Sequence, residues 1–258
     1  MIMSELSPSS APLAWIVGVG ASAGLGAALA RRFANEGYTV VLTGRTASRI
    51  EAIAAEIRAQ GGHAVAAAAD VTDEAQIAQI AAQVRGQGTL RSAIFNAGNA
   101  VRAPTLELET AQFEQAWRTN VLGGFVFARA ALPLLLAAPD ATTRATGAGS
   151  LIFTGATASL RGRPPFAAFA SAKAGLRSLS QSLAREFSPR GVHVAHVVID
   201  GGIDGERLRS AAPQRANDAG PDGLLNIDAI AGSYWQLHQQ NRSAWTQEID
   251  LRPWREPF

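Results

Sequence analysis

The sequence predicts an α/β fold in which a mostly parallel seven-stranded sheet carries helices on both faces. Short, continuous apolar runs are typical of parallel strands that are buried on both sides. Longer alanine-rich helical patterns separate these runs, and this alternation favours a doubly wound sheet. The chain has 258 residues, of which 47% are hydrophobic and 17% charged, which is enough for one domain with a substantial core.

Each element has its own pattern in the sequence. Strands are expected at residues 14–19, 39–43, 64–68, 92–95, 150–154, 192–199 and, from a weaker pattern, 248–251. Helices are expected at residues 24–36, 46–60, 73–85, 110–138, 166–188 and 226–240. Residues 139–149 and 201–223 are predicted to be loops, and the second is long enough to be a mobile lid. We expect a flexible N-terminus at residues 1–12 and a single domain at residues 13–258.

Composition argues against several functional classes. The absence of cysteine excludes disulfides, thiolate catalysis and cysteine-bound metals. His193 and His196 lie three residues apart in a predicted strand, so they point to opposite faces, one buried and one exposed, and no metal site is predicted. The net charge is only +2 and no arginine-rich run is present, so no nucleic-acid partner is expected.

The chain is expected to be soluble and cytoplasmic, without a membrane partner. The N-terminal residues lack the charged and apolar regions of a signal peptide. The longest apolar stretch, residues 121–138, contains Arg129 and Pro133 and predicts a buried helix rather than a membrane span.

A glycine-rich turn follows the first predicted strand and opens the first helix. Gly20, Gly24 and Gly26 allow backbone amides to approach a diphosphate, and Leu25 begins the helix whose dipole attracts it. This placement predicts a Rossmann-type dinucleotide site, although glycines also serve packing alone.

The end of the second predicted strand favours NADP(H) over NAD(H). Gly44 stands where an acidic residue would bind the ribose hydroxyls of NAD, and Arg45 offers a guanidinium for a 2′-phosphate. Ser22 is a second candidate phosphate contact. The alternative is that Arg45 is simply a solvated surface arginine.

The motifs resemble those of the short-chain dehydrogenase/reductase family, classical type, along nearly the whole chain. The spacing of the glycine-rich turn is the first of these motifs. The others are Asp70-Val71 after the third strand, Asn96-Ala97-Gly98 after the fourth, Asn120 in a long helix, and the segment from Phe169 to Lys173. The resemblance implies that Asp70 and Val71 contact adenine, and that Asn96, Ala97, Gly98 and Lys173 contribute to cofactor binding.

The resemblance also implies a catalytic set of Asn, Ser, Tyr and Lys. A hydride that reaches a carbonyl carbon leaves negative charge on oxygen, which needs a proton and a hydrogen bond. Tyrosine supplies that proton, and a nearby ammonium lowers its pKa. Asn120 and Lys173 match two members of the set; Lys173 is the only lysine among 23 lysines and arginines.

The other two members of the set are substituted, so the tetrad is degenerate. Phe169 stands at the tyrosine position and Ala156 at the serine position. A shift of the alignment would bring a hydroxyl to the serine position from Thr154, Thr157 or Ser159. No shift supplies the tyrosine, since the chain has only Tyr38 and Tyr234.

A third departure follows the sixth strand, where the family has Pro-Gly beside the nicotinamide. Here the chain has Asp200 and Gly201, followed by Ile203. The resemblance assigns Gly201 and Ile203 to cofactor binding. Asp200 is a candidate replacement proton donor, if an enclosed site raises its pKa. The alternative is that Asp200 caps its own turn.

Two functions remain open at this point, with a third, narrower one. The first is an NADP-dependent oxidoreductase of unusual mechanism, acting on an unknown small molecule such as an imine, an activated alkene or a carbonyl compound. The second is a catalytically inactive NADP-binding protein, a sensor or partner subunit; the third is non-redox chemistry with the cofactor as scaffold.

Arg161 and Arg163 would meet an anionic substrate or belong to a solvated loop. The long helices resemble those that join family members into homodimers or homotetramers.

Overall fold

The computed structural model describes residues 11–138 and 144–256 and contains a seven-stranded sheet. Its strand order is β3-β2-β1-β4-β5-β6-β9, and every pairing within it is parallel. The strands are Leu13–Val17 (β1), Thr39–Gly44 (β2), His63–Ala68 (β3), Leu90–Phe95 (β4), Gly149–Thr154 (β5), Val192–Ile199 (β6) and Glu248–Leu251 (β9). Ile203–Asp204 (β7) and Leu225–Asn226 (β8) form a separate parallel pair.

Helices cover both faces of the sheet, as predicted. They are Leu25–Asn35 (α1), Ala47–Ala59 (α2), Glu74–Gln87 (α3), Thr110–Trp117 (α4), Gly123–Leu136 (α5), Ala167–Phe187 (α6), Glu206–Ala211 (α7), Pro213–Asp218 (α8) and Ile227–His238 (α9). Residues of α3, α5 and α6 build the core on one face, and residues of α1, α2 and α9 build it on the other.

Strand β1 shows why continuous apolar runs predict this architecture. Leu13, Trp15 and Val17 join one core, while Ala14 and Ile16 join the other. All five side chains are fully buried, because helices lie over both sides of the strand. The strand ends at Val17, two residues before the predicted end.

Two predicted segments differ from the structure. The helix expected at 110–138 is interrupted by a wider π-helical turn, Arg118–Leu122, between α4 and α5. The loop expected at 201–223 contains β7, α7 and α8 instead, so this part of the chain has regular structure. Residues 139–143 of the other predicted loop, and residues 1–10, lie outside the described part of the chain.

The prediction that one of the two histidines in β6 is exposed was wrong. His193 and His196 are both buried, with relative exposures of 2% and 0%. Strand β6 lies between β5 and β9 and is covered on both faces, so neither direction leads to solvent. The alternation along the strand is confirmed by their neighbours, since Val194 joins the core on one face and Ala195 joins the core on the other. His193 contacts the main-chain oxygen of Thr246, and His196 contacts Glu248.

One helical span, Thr110–Leu136, is long and apolar enough to cross a membrane by composition, with a mean hydropathy of 1.5. More than half of its most apolar window, 56%, is buried inside the fold. Phe127 and Leu135, for example, are fully buried in the core. A helix buried to this extent fits the interior of a soluble protein.

Candidate active site and cofactor cleft

The cleft lies where the strand order reverses, between the ends of β1 and β4. Gly18 follows β1 with a φ of +86°, and a Cβ on it would lie 2.3 Å from the Ala97 nitrogen. The Asn96 nitrogen donates to the Val17 carbonyl at 3.0 Å. Only a glycine permits this approach of the two strand ends, and ligands of open α/β sheets bind at such a reversal.

The first turn of α1 fits an anionic group. Gly24 is its N-cap and makes no side-chain cap, and the first turn carries no acidic residue. The amides of Leu25 and Gly26 have no acceptor within the helix because they belong to its first turn. A Cβ on Gly26 would lie 2.8 Å from the Gly18 carbonyl oxygen, whereas Gly20 faces open space. The turn is therefore closely packed where Gly26 meets Gly18 and open at Gly20, as a site for a diphosphate requires.

Ser22 has partners within the protein. Its hydroxyl donates to Glu56 at 3.2 Å, and Arg31 donates to its main-chain oxygen at 2.9 Å. Arg31 also pairs with Glu56 at 3.5 Å. A phosphate contact by Ser22 would therefore compete with a carboxylate, and no local pattern indicates this competition because Glu56 lies 34 residues away in the chain.

Gly44 has a packing role that the sequence did not reveal. A Cβ at Gly44 would lie only 2.0 Å from the Val19 carbonyl oxygen, so no larger residue fits. This contact explains the missing carboxylate without any reference to the cofactor. Arg45 follows it as an exposed residue.

The end of β3 is held by a local turn. Asp70 Oδ1 accepts hydrogen bonds from the nitrogen and the hydroxyl of Thr72, both at 2.8 Å. Val71 is buried and packs against Gly123 of α5, where an added Cβ would lie 2.8 Å from it. These contacts fix the two residues predicted to face adenine.

Asn96 is held at the end of β4 by a buried chain of hydrogen bonds. Its amide donates to the Gly18 carbonyl at 3.1 Å, and Thr154 donates to its Oδ1 at 3.1 Å. The Tyr234 hydroxyl lies 2.8 Å from the Thr154 hydroxyl, and burial raises the pKa of Tyr234. The Thr154 hydroxyl is therefore engaged by Asn96 and by the fully buried Tyr234.

Asn120 and Lys173 meet at Gly98. Asn120 lies in the π-helical turn, and its amide donates to the carbonyl of Ala116 at 2.8 Å and to the side chain of Asn99 at 3.0 Å. A Cβ on Gly98 would lie 2.8 Å from Asn120 Oδ1 and 3.3 Å from Lys173 Nζ. Asn120 Oδ1 is buried and makes no hydrogen bond, so a bound water or ligand is expected there.

The Lys173 ammonium is buried and close to an aromatic ring. It donates to the Thr154 carbonyl oxygen at 2.8 Å and lies 5.9 Å from the centre of the Phe169 ring. Burial, with a smaller contribution from the Arg207 guanidinium, lowers the pKa of Lys173 to about 8. The ammonium therefore loses its proton much more readily than a solvated lysine does.

The hydroxyls that follow β5 have other partners. Ser159 accepts a hydrogen bond from the Ala156 nitrogen at 3.1 Å and lies 3.4 Å from His196. Burial lowers the pKa of His196 to about 4, so its imidazole is neutral at pH 7. Thr157 donates to Asp200 at 2.5 Å.

Asp200 is almost fully buried at 2% exposure and belongs to an ionic cluster. One oxygen accepts from Thr157 and lies 3.7 Å from Arg161; the other accepts from Arg252. Two guanidinium groups therefore pair with its carboxylate. The partners that hold Asp200 are distant in sequence, so neither the donor role nor the self-cap suggested by the sequence includes them.

The segment after β6 folds back onto the glycine-rich turn. Ile203 pairs with Leu225 in the small sheet, and a Cβ on Gly201 would lie 2.7 Å from Pro253. The Glu206 nitrogen donates to the Ala23 carbonyl at 2.8 Å. The predicted lid residues therefore lie beside the predicted cofactor residues.

Among residues 11–138 and 144–256, no group of three metal-ligating side chains lies close enough to hold a metal ion. The sequence missed two arginines, Arg49 and Arg207, that line one cavity of about 460 Å³ beside Ala21. No local motif marks them, because they come from α2 and α7 and meet only in the fold.

Comparison with known proteins agrees with this architecture. Residues 14–215 match the sequence profile of the short chain dehydrogenases. An uncharacterized oxidoreductase of Mycobacterium tuberculosis is 34% identical over 172 residues, which cover 66% of this chain and 63% of that protein. The chain thus spans under two thirds of that relative's length.

Two solved structures cover almost the whole chain. A short-chain dehydrogenase of Rhodopseudomonas palustris is 38% identical and covers 96% of this chain and 100% of its own, with a TM-score of 0.77. A metagenomic short-chain oxidoreductase in complex with NADP is 26% identical and covers 96% of this chain and 99% of its own, with a TM-score of 0.75. This chain belongs to the short-chain dehydrogenase/reductase family of oxidoreductases.

Proposed function

We propose that this protein is an NADP(H)-dependent oxidoreductase that transfers hydride to a small molecule without a tyrosine proton donor. The observation that carries the proposal is the meeting of Gly98, Asn120 and the buried Lys173 ammonium beside an open glycine cradle. The cradle suits the diphosphate, and Lys173 would hold the ribose next to the nicotinamide.

The cofactor, when bound, supplies the hydride, and the protein's own residues bind and orient it. The uncapped first turn of α1 receives the diphosphate through the amides of Leu25 and Gly26. Asp70 and Val71 border the adenine. Arg45 supports a preference for the 2′-phosphate, because its exposed guanidinium is free of partners among the described residues. Gly44 no longer adds to that preference, since packing alone requires a glycine there.

The electrostatics of the site favour substrates that develop negative charge. Hydride transfer to an enone or a carbonyl compound places charge on oxygen, whereas transfer to an iminium ion removes a positive charge. Lys173 is a buried cation, and Arg207 is close enough to lower its pKa. The Lys173 ammonium stabilises an enolate or alkoxide and repels an iminium ion. An activated alkene or a carbonyl compound is therefore the substrate class we favour.

The proton must come from a group other than Phe169, which has none to give. Asp200 is the candidate donor from the sequence, but both of its oxygens act as acceptors in the cluster with Thr157 and Arg252. This geometry supports a structural role for Asp200 better than a donor role. For an enone, hydride adds to the β-carbon, and water protonates the resulting enolate at the α-carbon, so the atoms and charges balance.

The test is binding followed by turnover. NADPH binding is measured by its fluorescence, and NADPH consumption is then measured with panels of enones, ketones and imines. We expect binding, and consumption with enones or ketones. Consumption with imines alone would contradict the electrostatic argument, and an absence of binding would contradict the proposal as a whole.

An inactive NADP-binding protein is the second candidate, favoured by the engagement of both Asp200 oxygens and by the Phe169 ring beside Lys173. The double variant Ala156→Ser/Phe169→Tyr separates the two candidates. If the native chain binds NADPH without consuming it and the double variant consumes it, the native protein is inactive toward those substrates. Asp200→Asn then tests the donor: lost turnover with intact NADPH affinity supports a donor role, and unchanged turnover excludes it.

A further inference from the structure

We infer that Arg207 of α7 binds the diphosphate of the dinucleotide from the lid side, opposite the glycine cradle. This inference rests on the proposed cofactor binding. Arg207 lies outside the sequence motifs that predicted a cofactor site. The Arg207 guanidinium lies between the glycine-rich turn and the end of β4.

The lid is fixed to the glycine-rich turn at the residue before Arg207. The Glu206 nitrogen donates to the Ala23 carbonyl oxygen at 2.8 Å. A Cβ on Gly205 would lie 2.9 Å from the same oxygen, so a glycine is needed for this approach. The main chain of the lid therefore touches the turn on which the diphosphate would lie.

Arg207 reaches from this point across the cleft. Its guanidinium lies 3.5 Å from the carbonyl oxygen of Gly98, the residue at which Asn120 and Lys173 meet. The same guanidinium contributes to the lowered pKa of Lys173. Arg207 therefore lies between the glycine-rich turn and Gly98, where Asn120 and Lys173 meet.

The charge of Arg207 is available for an anion. The side chain is exposed, and its contact with Gly98 at 3.5 Å is at the outer limit of a hydrogen bond. Arg49, which lines the same cavity, instead has the Glu206 carboxylate at 4.0 Å. Among the ion pairs of the described residues, Arg49 has this carboxylate within 4.0 Å, whereas Arg207 has no acidic partner within that distance.

A diphosphate is the group that suits this position. Arginine offers a planar set of donors that matches phosphate oxygens, and the first turn of α1 presents amides from the opposite side. An anion between them would be contacted on two sides. This arrangement also gives a reason for the close contact between the start of α7 and the glycine-rich turn.

Arg209 provides a matched control on the same helix. It is exposed, but Asp204 accepts from its Nε at 2.6 Å and from its Nη2 at 3.0 Å. Arg207→Gln and Arg209→Gln remove the same charge from the same helix, and only the first faces the cleft. Thermal unfolding of both variants checks that they fold like the native chain.

The experiment measures NADPH and NADH binding by fluorescence, and ADP and AMP binding by displacement of NADPH. We expect Arg207→Gln to weaken NADPH, NADH and ADP by a similar factor of about 10 to 100, the loss of a charge-assisted hydrogen bond. AMP, which lacks the second phosphate, loses less, and Arg209→Gln binds all four ligands like the native chain.

Several results would overturn the inference. Unchanged binding by Arg207→Gln shows that the arginine makes no contact, and tighter binding shows that it blocks the cleft. Weakened NADPH binding with unchanged ADP binding places the contact on the nicotinamide half instead. If the native chain binds no dinucleotide, the proposed function fails; if it binds and Arg207→Gln binds equally well, only this inference fails.

Discussion

The ammonium of Lys173 lies 5.9 Å from the centre of the Phe169 ring, one turn away on α6. The ring offers its π-face to the cation but no hydroxyl to polarise. Lys173 instead donates to the main-chain oxygen of Thr154 and remains buried beside Gly98. The pair places a positive charge at the end of the cleft beside a ring that has no proton to give, and this combination underlies the proposed function.

The pKa of Lys173 is directly measurable, because the chain has no other lysine. We expect a pKa of about 8 in the cofactor-free protein, since burial disfavours the charged ammonium. An NMR titration of the isotope-labelled Lys173 side chain measures it. Arg207→Gln should raise this pKa by removing a nearby positive charge, whereas Arg209→Gln should not. A native pKa above 10 would contradict the buried environment.

Acid should destabilise the fold through two buried histidines. Burial lowers the pKa of His196 to about 4 and that of His238 to about 3, below their values in the unfolded chain. As the pH falls below 6.5, the unfolded chain takes up protons first, so stability present at neutral pH is lost. The slope that each histidine contributes to the free energy of unfolding rises toward about 1.4 kcal/mol per pH unit as the pH falls from 6.5 toward 5.

Urea unfolding between pH 7 and 5 measures that slope. His238→Gln should flatten it, although the variant is less stable at pH 7 because His238 contacts Tyr38 at 2.7 Å and Ser150 at 2.8 Å. Equal slopes for the native chain and His238→Gln would refute this explanation.

Gly44 and Gly20 should respond differently to alanine. A Cβ at Gly44 would overlap the Val19 carbonyl oxygen at 2.0 Å, so Gly44→Ala should lower the free energy of unfolding by about 1–3 kcal/mol. Gly20 faces open space, so Gly20→Ala should keep the stability and weaken NADPH binding instead. Chemical denaturation and NADPH titration of both variants separate the two roles. A stable Gly44→Ala variant would show that the strand ends move apart readily.

Arg45 should discriminate between the two dinucleotides. Arg45→Ala is expected to weaken NADPH by about 10- to 100-fold through the loss of a contact with the 2′-phosphate, and to leave NADH unchanged. Fluorescence titration with each dinucleotide measures the ratio. Arg58→Ala, which removes an arginine paired with Glu51 farther along α2, serves as the control. An equal effect on NADPH and NADH would mean that Arg45 does not contact the 2′-phosphate.

The predicted homo-oligomer has a candidate surface on α4 and α5. Phe113, Trp117 and Phe125 are 40%, 44% and 43% exposed, a high proportion for large apolar side chains. Trp117→Glu should lower the molar mass measured by light scattering if this surface joins subunits. Trp254→Glu alters a tryptophan that is 73% exposed elsewhere and should not change the mass. An unchanged mass for Trp117→Glu would place the interface elsewhere.

The local patterns were sufficient for the sheet and for the position of the cradle. Strands β6 and β9 match their predicted ranges, and the other five strands of the main sheet differ by at most two residues at either end. This accuracy follows from the continuous apolar runs, which two-sided burial requires. The segment 201–223 was mispredicted, because short helices such as α7 are stabilised by contacts with the glycine-rich turn rather than by their own sequence.

The sequence by itself determined the family, the order of strands and helices along the chain, and the presence of Phe169 four residues before Lys173. These depend on residue identity and spacing, which folding does not alter. Only the tertiary structure decided that Gly44 is a packing residue, that Asp200 is tied to Arg252, and that Arg207 lies across the cleft. Each of these joins groups far apart in the chain, so its chemistry depends on distances that no local pattern contains.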